Sequence, residues 1–184
     1  MKTFIAIILS AFVIFGNNFC SAAMPQKEMY LGGVTFGSST HKLFRMYGFP
    51  NKTEGGVEQL YTCYYGEGVQ ISYNAYNNKV FEIVVTENNG WKTPAGLAVG
   101  SDFNKMFEIN GEADFSQSYG DNTVYAYFHS NGKVNDFAFI ALVDDMTGKI
   151  LHLEITGNNP MVTLEDFFQS HVEKILGIEN NFED

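Results

Sequence analysis

Residues 33–48 read Gly33-Val-Thr-Phe-Gly-Ser-Ser-Thr-His-Lys-Leu-Phe-Arg-Met-Tyr-Gly48, and residues 96–111 read Gly96-Leu-Ala-Val-Gly-Ser-Asp-Phe-Asn-Lys-Met-Phe-Glu-Ile-Asn-Gly111. The offset between the two stretches is 63 residues (96 − 33), without a gap. Chance would make about one aligned position identical. Six are identical: Gly33/Gly96, Gly37/Gly100, Ser38/Ser101, Lys42/Lys105, Phe44/Phe107 and Gly48/Gly111. The sequence therefore predicts two copies of one structural unit.

Each copy begins with a predicted short helix. Ser38 or Ser39 in the first copy, and Ser101 or Asp102 in the second, can accept hydrogen bonds from the N–H groups of a first helical turn. Glycine ends both stretches, as it commonly ends helices. The apolar residues that follow the caps at helical spacing are Leu43, Phe44, Tyr47, Phe103, Met106 and Phe107.

Strand signals follow each predicted helix. Runs rich in β-branched and aromatic residues, separated by Gly- and Asn-rich turns, lie at residues 60–65, 69–76, 79–86, 123–129, 134–143 and 150–156. The predicted fold class is α+β. Two tandem units, residues 24–90 and 91–160, each consist of a helix and an antiparallel three-stranded meander, and together they form a sheet.

Residues 161–184 are a predicted C-terminal amphipathic helix and tail. Apolar residues recur at helical spacing from Leu164 to Leu176. Such a helix either docks on the protein's own sheet or binds a partner protein. Residues 137–143 are apolar at every position, so we expect another part of the chain to cover the outer face of the sheet there.

Residues 1–23 have the pattern of an export signal. Lys2 is positive, residues 4–15 form an apolar run too short to span a bilayer, and the stretch ends in Ser21-Ala22-Ala23. We predict cleavage after Ala23 and a secreted or periplasmic location. No second apolar run is long enough for a membrane helix, so we do not expect an integral membrane protein.

The protein is acidic, with a formal net charge of −10. If Lys2 leaves with the signal, 10 basic and 21 acidic residues remain, a balance of −11. Such a surface repels phosphate groups, so we expect no nucleic-acid partner. The mature part would keep one cysteine, Cys63, which excludes an intramolecular disulfide. Cys63 is then a buried thiol, a reactive thiol or the site of an intermolecular bridge.

Strand alternation suggests which side chains point away from the helices. Large, rigid Tyr side chains suit a protein-binding face, although Tyr also favours strands for structural reasons alone. The residues expected to bind a partner are Tyr76, Tyr125, Tyr127, His129, His152 and Glu154. Those expected to face the helices include Phe81, Ile83, Val85, Val124, Ala126, Phe128, Leu151, Leu153 and Ile155.

The sequence shows no constellation that would support catalysis. His129 and His152 fall on the first and third strands of a meander, about 9.5 Å apart, which is too far for the pair alone to bind zinc. We find neither a phosphate-binding loop nor a nucleophile motif. We therefore expect no cofactor, no metal site and no enzymatic activity.

The run from Gly33 to Ser39, the short helix, Gly48-Phe-Pro50, the polar loop and the strands up to Val85 resemble a known repeat. This repeat is shared by the SmpA/OmlA (BamE) envelope lipoproteins and the β-lactamase inhibitory proteins. Two copies in tandem resemble the layout of the inhibitory proteins, in which a joined sheet presents a concave aromatic face to an enzyme. The resemblance covers about residues 30–157 and implies this fold and a binding, non-catalytic role.

The predicted function is that of a secreted or periplasmic module, inhibitor-like or envelope-associated. It would bind another secreted or envelope protein through the sheet face away from the helices. The alternative is a carrier of a small hydrophobic ligand or lipid. Its pocket would lie between the sheet and the C-terminal helix and would be lined by Phe137, Phe139 and Phe168. An enzyme would instead require at least two titratable side chains that converge in one cleft.

Overall fold

The structure is a computed structural model that describes residues 24–130, 135–157 and 173–176 of the 184-residue chain. The predicted signal, and all of the predicted C-terminal helix and tail except residues 173–176, lie outside the described residues. The elements are a 3-10 helix (Gln26–Glu28), α1 (Thr40–Tyr47), β1 (Lys52–Gly55), β2 (Leu60–Tyr64), β3 (Val69–Asn74), β4 (Lys79–Val85), α2 (Phe103–Asn110), β5 (Phe115–Tyr119), β6 (Asn122–Ser130), β7 (Asn135–Asp144) and β8 (Lys149–Gly157).

All eight strands belong to one antiparallel sheet, in the order β1-β2-β3-β4-β8-β7-β6-β5. Strands β4 and β8 meet at its centre, where Ile83 lies opposite Ile155 and Val84 lies opposite Glu154. Each half of the chain is a four-stranded meander, and the last strands of the two meanders pair with each other.

The predicted fold of two tandem helix-plus-three-strand units with a C-terminal helix is wrong. The described residues form a single eight-stranded sheet, and one core cluster contains both Leu43 of α1 and Met106 of α2. The six predicted strands are present, but β1 and β5 are additional edge strands. Every residue of β1 is exposed and β5 has no fully buried residue, so neither carries the apolar pattern that marks a strand. The boundaries proposed at residues 90/91 and 160/161 stay predictions.

Both predicted helices and their caps are confirmed. The backbone N–H of Lys42 donates to Ser39 Oγ (3.2 Å), and that of Asn104 donates to Asp102 Oδ1 (2.9 Å). The two alternative caps accept other bonds: Thr35 N–H donates to Ser38 Oγ at 3.1 Å, and Ala98 N–H to Ser101 Oγ at 3.0 Å. The two sixteen-residue stretches thus have matching local structure, although they lie on one sheet.

Both helices pack on the same face of the sheet and enclose the main core. Its largest fully buried side chains are Tyr127, Phe139, Met24, Met29, Leu31, Leu43, Ile71, Ile83, Leu97 and Met106. The opposite face carries a smaller cluster from β6 and β7: Val124, Ala126, Ala138, Ile140 and Leu142. Ile175 and Leu176, in the helical turn 173–176, pack against this cluster. The expectation that something covers the outer face of β7 is confirmed.

Two bulges interrupt the alternation of side chains along the strands. The pairing of β3 with β4 passes from Ser72–Glu82 to Tyr73–Val80, which leaves Phe81 as the extra residue, and Val80 is buried in the main core. The pairing of β7 with β8 skips Leu151 in the same way, and its side chain is exposed. The prediction that Leu151 faces the helices is therefore wrong, because a bulge interrupts strict alternation, whereas the orientation of Phe81 stays a prediction.

The cap of α1 gives a first testable expectation. Replacing Ser39 with alanine removes the acceptor for Lys42 N–H and should lower the free energy of unfolding by about 1 kcal/mol, measured by urea denaturation. Ser39→Asp keeps an acceptor oxygen and should retain most of the stability. Equal losses in the two variants would show that the cap hydrogen bond does not matter.

Candidate protein-binding surface

The structure does not place the six residues predicted to bind a partner on one face. Tyr127 is fully buried in the main core, and its hydroxyl donates to the carbonyl of Gly111 (3.0 Å). Tyr125 packs on the two aromatic rings of α2, at 6.2 Å from Phe103 and 5.5 Å from Phe107. Both tyrosines thus face the helices, and the predicted orientation of β6 is wrong. Alternation shows that a strand has two faces, but both faces of β6 are apolar, so it did not show which one meets the helices.

The two residues predicted on β8 do point away from the helices, but they are not open to a partner. Glu154 is fully buried and His152 nearly so. Their side chains contact each other, with His152 Nε2 and Glu154 Oε2 3.2 Å apart. The prediction that this pair forms an exposed binding face is wrong, because neighbouring parts of the chain shield it from solvent.

The remaining two predicted residues are separate from each other. Tyr76 lies in the turn between β3 and β4 and is 85% exposed. His129 is partly buried, and its ring centroid lies 4.8 Å from that of Phe137. Of the six, only Tyr76 therefore presents most of its side chain to solvent.

A polar ladder crosses the middle of the face away from the helices. Thr62 and Ser72 hydroxyl oxygens lie 3.1 Å apart, and Ser72 donates to Glu82 Oε2 (3.0 Å). The ammonium of Lys174 donates to Glu82 Oε1. Burial alone lowers the pKa of Lys174, but the carboxylates of Glu154 and Glu82 outweigh it and raise the pKa. Residues 174–176 thus lie against the area that was predicted to receive a partner.

A different surface exposes large apolar side chains close together. Met46 and Tyr47 lie in the last turn of α1, and Phe49 follows the helix and is 88% exposed. We call Met46, Tyr47 and Phe49 the α1 surface. Of the eight exposed large apolar residues among those described, these three are neighbours in sequence. Water-exposed aromatic and Met side chains in one place are typical of protein-binding sites.

Aromatic contacts hold the α1 surface in place. The Tyr47 ring stacks on Trp91 with centroids 4.5 Å apart, and its hydroxyl donates to the carbonyl of Gly32. Burial raises the pKa of Tyr47, so the hydroxyl stays protonated as a donor at neutral pH. The exposed Phe49 ring lies 5.8 Å from that of Phe44, which packs against the main core. The surface is thereby preformed, and a partner would not have to order it.

Sequence reasoning missed two residues of this surface. Tyr47 belongs to the apolar stripe of α1, but Met46 lies outside that stripe and Phe49 follows the glycine that ends the helix. A large apolar residue off the buried stripe was the available signal. It was not used because an isolated exposed apolar residue is common on protein surfaces.

The described residues offer no site for metal or thiol chemistry. Within residues 24–130, 135–157 and 173–176, no three His, Cys, Asp or Glu side chains lie together in a way that could hold a metal ion. Cys63 is buried, and burial raises the pKa of its thiol. The thiolate, which is the reactive form, is therefore disfavoured at neutral pH. Of the three alternatives for Cys63, the structure supports the buried thiol.

The pocket expected for a hydrophobic ligand does not have the predicted lining. Phe137 and Phe139 belong to the main core on the helix side of the sheet, whereas Ile175 and Leu176 pack on the opposite side. Phe168 lies outside the described residues. The prediction that Phe137 and Phe139 face the C-terminal helix is wrong for the same reason as on β6: adjacent apolar residues leave the face undecided.

None of the helices in the described part of the chain is both long and apolar enough to cross a membrane. No protein-family model matches the sequence, and no curated protein matches it.

Two solved structures are similar in fold. One is a cysteine-rich secretory protein from Staphylococcus aureus subsp. aureus Mu50, with a TM-score of 0.51 and 12% identity, and the similarity covers 75% of this chain and 49% of that chain. The other is an extracellular protein containing a SCP domain from Bacillus anthracis str. Ames, with a TM-score of 0.47 and 16% identity, covering 66% of this chain and 44% of that chain. The chain spans about half the length of these proteins or less. At such identities the similarity concerns the fold alone.

The resemblance to the SmpA/OmlA (BamE) lipoproteins and the β-lactamase inhibitory proteins is wrong. No family model supports it, and a solved structure of similar fold is a cysteine-rich secretory protein. The motif on which it rested is a helix entered and left through glycine. Local backbone geometry alone can produce such a motif in unrelated folds.

Proposed function

We propose that this protein is an exported, non-catalytic module that binds another secreted or envelope protein through the α1 surface. Export is supported by the signal-like pattern of residues 1–23. The similar structures, described as extracellular and secretory proteins, agree with it. A non-catalytic role is supported by the burial of His152 and Glu154, the one close pair of titratable side chains on β8.

The exposure of Phe49 is the main observation in favour of the α1 surface as the binding site. An aromatic side chain that is 88% exposed leaves a large apolar area in water. Its contact with Phe44 and the stacking of Tyr47 on Trp91 restrict the motion of the rings. Preformed aromatic anchors of this kind contribute much of the binding energy at protein interfaces.

The proposal predicts that the double substitution Met46→Ala and Phe49→Ala weakens partner binding by at least about ten-fold, as expected for the loss of an interface anchor. The partner would be recovered with the tagged full-length protein from the culture medium or cell envelope of its host. Affinities of wild type and variants would then be measured by calorimetry with the purified partner.

Met146→Ala is the matched control. Met146 is 80% exposed in the turn between β7 and β8, so its truncation removes exposed apolar area elsewhere, and binding should change by less than about two-fold. Tyr76→Ala tests the one predicted residue that is well exposed. If partner recovery and affinity survive the double substitution, or if only Tyr76→Ala reduces them, the α1 surface is not the binding site.

A further inference from the structure

A cleft adjoins the α1 surface. It is lined by Gln26, Lys27, Tyr30, Gly33 and Pro94. Lys42 of α1 places its ammonium 5.7 Å from the centroid of the Tyr30 ring. Met46 of the α1 surface reaches the same place, since a Cβ added at Gly33 would lie 2.9 Å from Met46 Cε. The cleft and the α1 surface are therefore continuous.

The ammonium group of Lys42 is held in place and can donate further hydrogen bonds. Its ammonium donates to the carbonyl of Gly33 (2.7 Å), and a lysine ammonium has three donors. The tether fixes the charge over the aromatic ring, so a ligand would meet a positioned cation and not a mobile side chain.

The second half of the chain contains a natural comparison. Lys105 donates to the carbonyl of Gly96 (2.9 Å), which repeats the bond of Lys42 to Gly33 at the 63-residue offset. The residue that corresponds to Tyr30 is Thr93, which is buried. The hydrogen bond from a lysine to a glycine carbonyl is thus common to both halves, whereas the aromatic ring beneath the ammonium, that of Tyr30, occurs in the first half.

Charge in this region has the opposite sign to that of the whole protein. Residues 24–50 contain three cationic side chains, Lys27, Lys42 and Arg45, and one acidic side chain, Glu28. The Glu28 side chain is buried and accepts from the backbone N–H of Ala95 (2.8 Å). The segment has a formal balance of +2 in a chain of −10. A local cationic area favours an anionic partner group.

We infer that this cleft binds a carboxylate in an acidic peptide segment of the partner protein that also contains aromatic residues. Lys42 and Lys27 contact the carboxylate, and the adjoining apolar part of the peptide packs on the Tyr30 ring and Met46. The inference rests on the proposed function, because the cleft extends the α1 surface and names the chemistry of what binds there.

The test uses the full-length protein and a labelled probe, acetyl-Glu-Phe-Glu-Glu-Phe-Glu-amide, with fluorescence anisotropy as the readout. The same peptide with glutamine at every glutamate should bind at least about ten-fold more weakly. Raising NaCl from about 0.05 M to about 0.5 M should weaken binding of the glutamate peptide by a similar factor, because salt screens exposed charges.

The double substitution Lys27→Gln and Lys42→Gln should weaken probe binding at least about ten-fold. The glutamine at position 42 can still donate to the Gly33 carbonyl. Lys105→Gln is the control, because it makes the same substitution at the equivalent hydrogen bond, that of Lys105 to the Gly96 carbonyl. Lys105→Gln should leave probe affinity within about two-fold of wild type. Equal binding of the two peptides, or an equal loss in the Lys105 variant, would overturn the inference.

One further variant distinguishes a partner from the protein's own acidic end. Residues 177–184 include Glu179, Phe182, Glu183 and Asp184. If Glu179→Gln, Glu183→Gln and Asp184→Asn together tighten probe binding by more than about two-fold, the chain itself competes for the cleft and the partner assignment fails. An unchanged affinity supports a partner.

The two proposals fail separately. Partner recovery that depends on Phe49 but not on Lys27 and Lys42 would leave the proposed function standing without the carboxylate contact. Probe binding that depends on the two lysines, with partner recovery indifferent to Phe49, would retain the cleft and reject the α1 surface.

Discussion

Replacing Tyr127 with alanine is expected to lower the free energy of unfolding by about 3–5 kcal/mol, the range for removing a buried aromatic ring. Tyr127 is fully buried, and its ring centroid lies 6.2 Å from that of Phe139 in the main core. Truncation would leave a cavity and would also remove the donor to the Gly111 carbonyl. Urea denaturation followed by circular dichroism would measure the change. A loss below about 1 kcal/mol would show that Tyr127 faces solvent, as the sequence had suggested.

Tyr127→Phe separates the ring from its hydroxyl. The ring still fills the core, so the expected loss is about 1 kcal/mol for the hydrogen bond alone. Burial raises the pKa of Tyr127 above its ordinary value, so the folded state holds this proton more tightly than the unfolded state. Its contribution to stability is therefore complete below about pH 10 and falls as the pH rises further. The phenylalanine variant should lose less stability above pH 10 than wild type. Part of the fall should remain, because burial also raises the pKa of Tyr65, to about 12.

Gly32→Ala is expected to lower the free energy of unfolding by about 2–5 kcal/mol. Gly32 has φ of +57°, and a Cβ added there would lie 2.5 Å from Trp91 Cε3 and 2.7 Å from Tyr47 Oη. Backbone strain accounts for about 1–2 kcal/mol, and overpacking against the two rings adds about 1–3 kcal/mol. Trp91 is the only tryptophan, so a shift in its fluorescence spectrum would report directly on the displaced stack.

Gly37→Ala is the matched control for the backbone. Gly37 has φ of +76°, but nothing lies within 4 Å of an added Cβ. Only the strain term of about 1–2 kcal/mol applies, and tryptophan fluorescence should not change. Equal losses in the two variants would show that the contact of Gly32 with Trp91 and Tyr47 is loose. The α1 surface would then not be preformed, which would remove an argument for the proposed binding site.

Sequence reasoning succeeded where a short stretch of chain contains all the interactions that matter. The caps at Ser39 and Asp102 need only a side-chain oxygen next to an N–H group two or three residues away. The six apolar strands are recognisable because each carries its own run of β-forming residues. The edge strands β1 and β5 carry no such run, since they are strands only because β2 and β6 lie beside them.

The candidate site was predictable only in part. Tyr47 was identified as a residue of the α1 helix, which is confirmed. Tyr76 was expected on a strand, but it lies in the turn between β3 and β4, where it is exposed. Tyr125 and Tyr127 were assigned to the wrong face. The face of β6 that is buried in the main core is the one on which α2 packs. No pattern in the sequence of β6 shows which of its faces that is.

The sequence by itself determined two capped helices, six of the strands, an acidic balance and a lone mature cysteine if the signal is cleaved after Ala23. Each of these depends on composition or on contacts between near neighbours in the chain. Only the tertiary structure decided that β4 pairs with β8 to make one sheet and that His152 and Glu154 are covered. It also decided that Phe49 stays exposed to water after the end of α1. Those outcomes depend on which distant segments of the chain pack against one another and bury apolar area. A pattern of neighbouring residues does not contain that information.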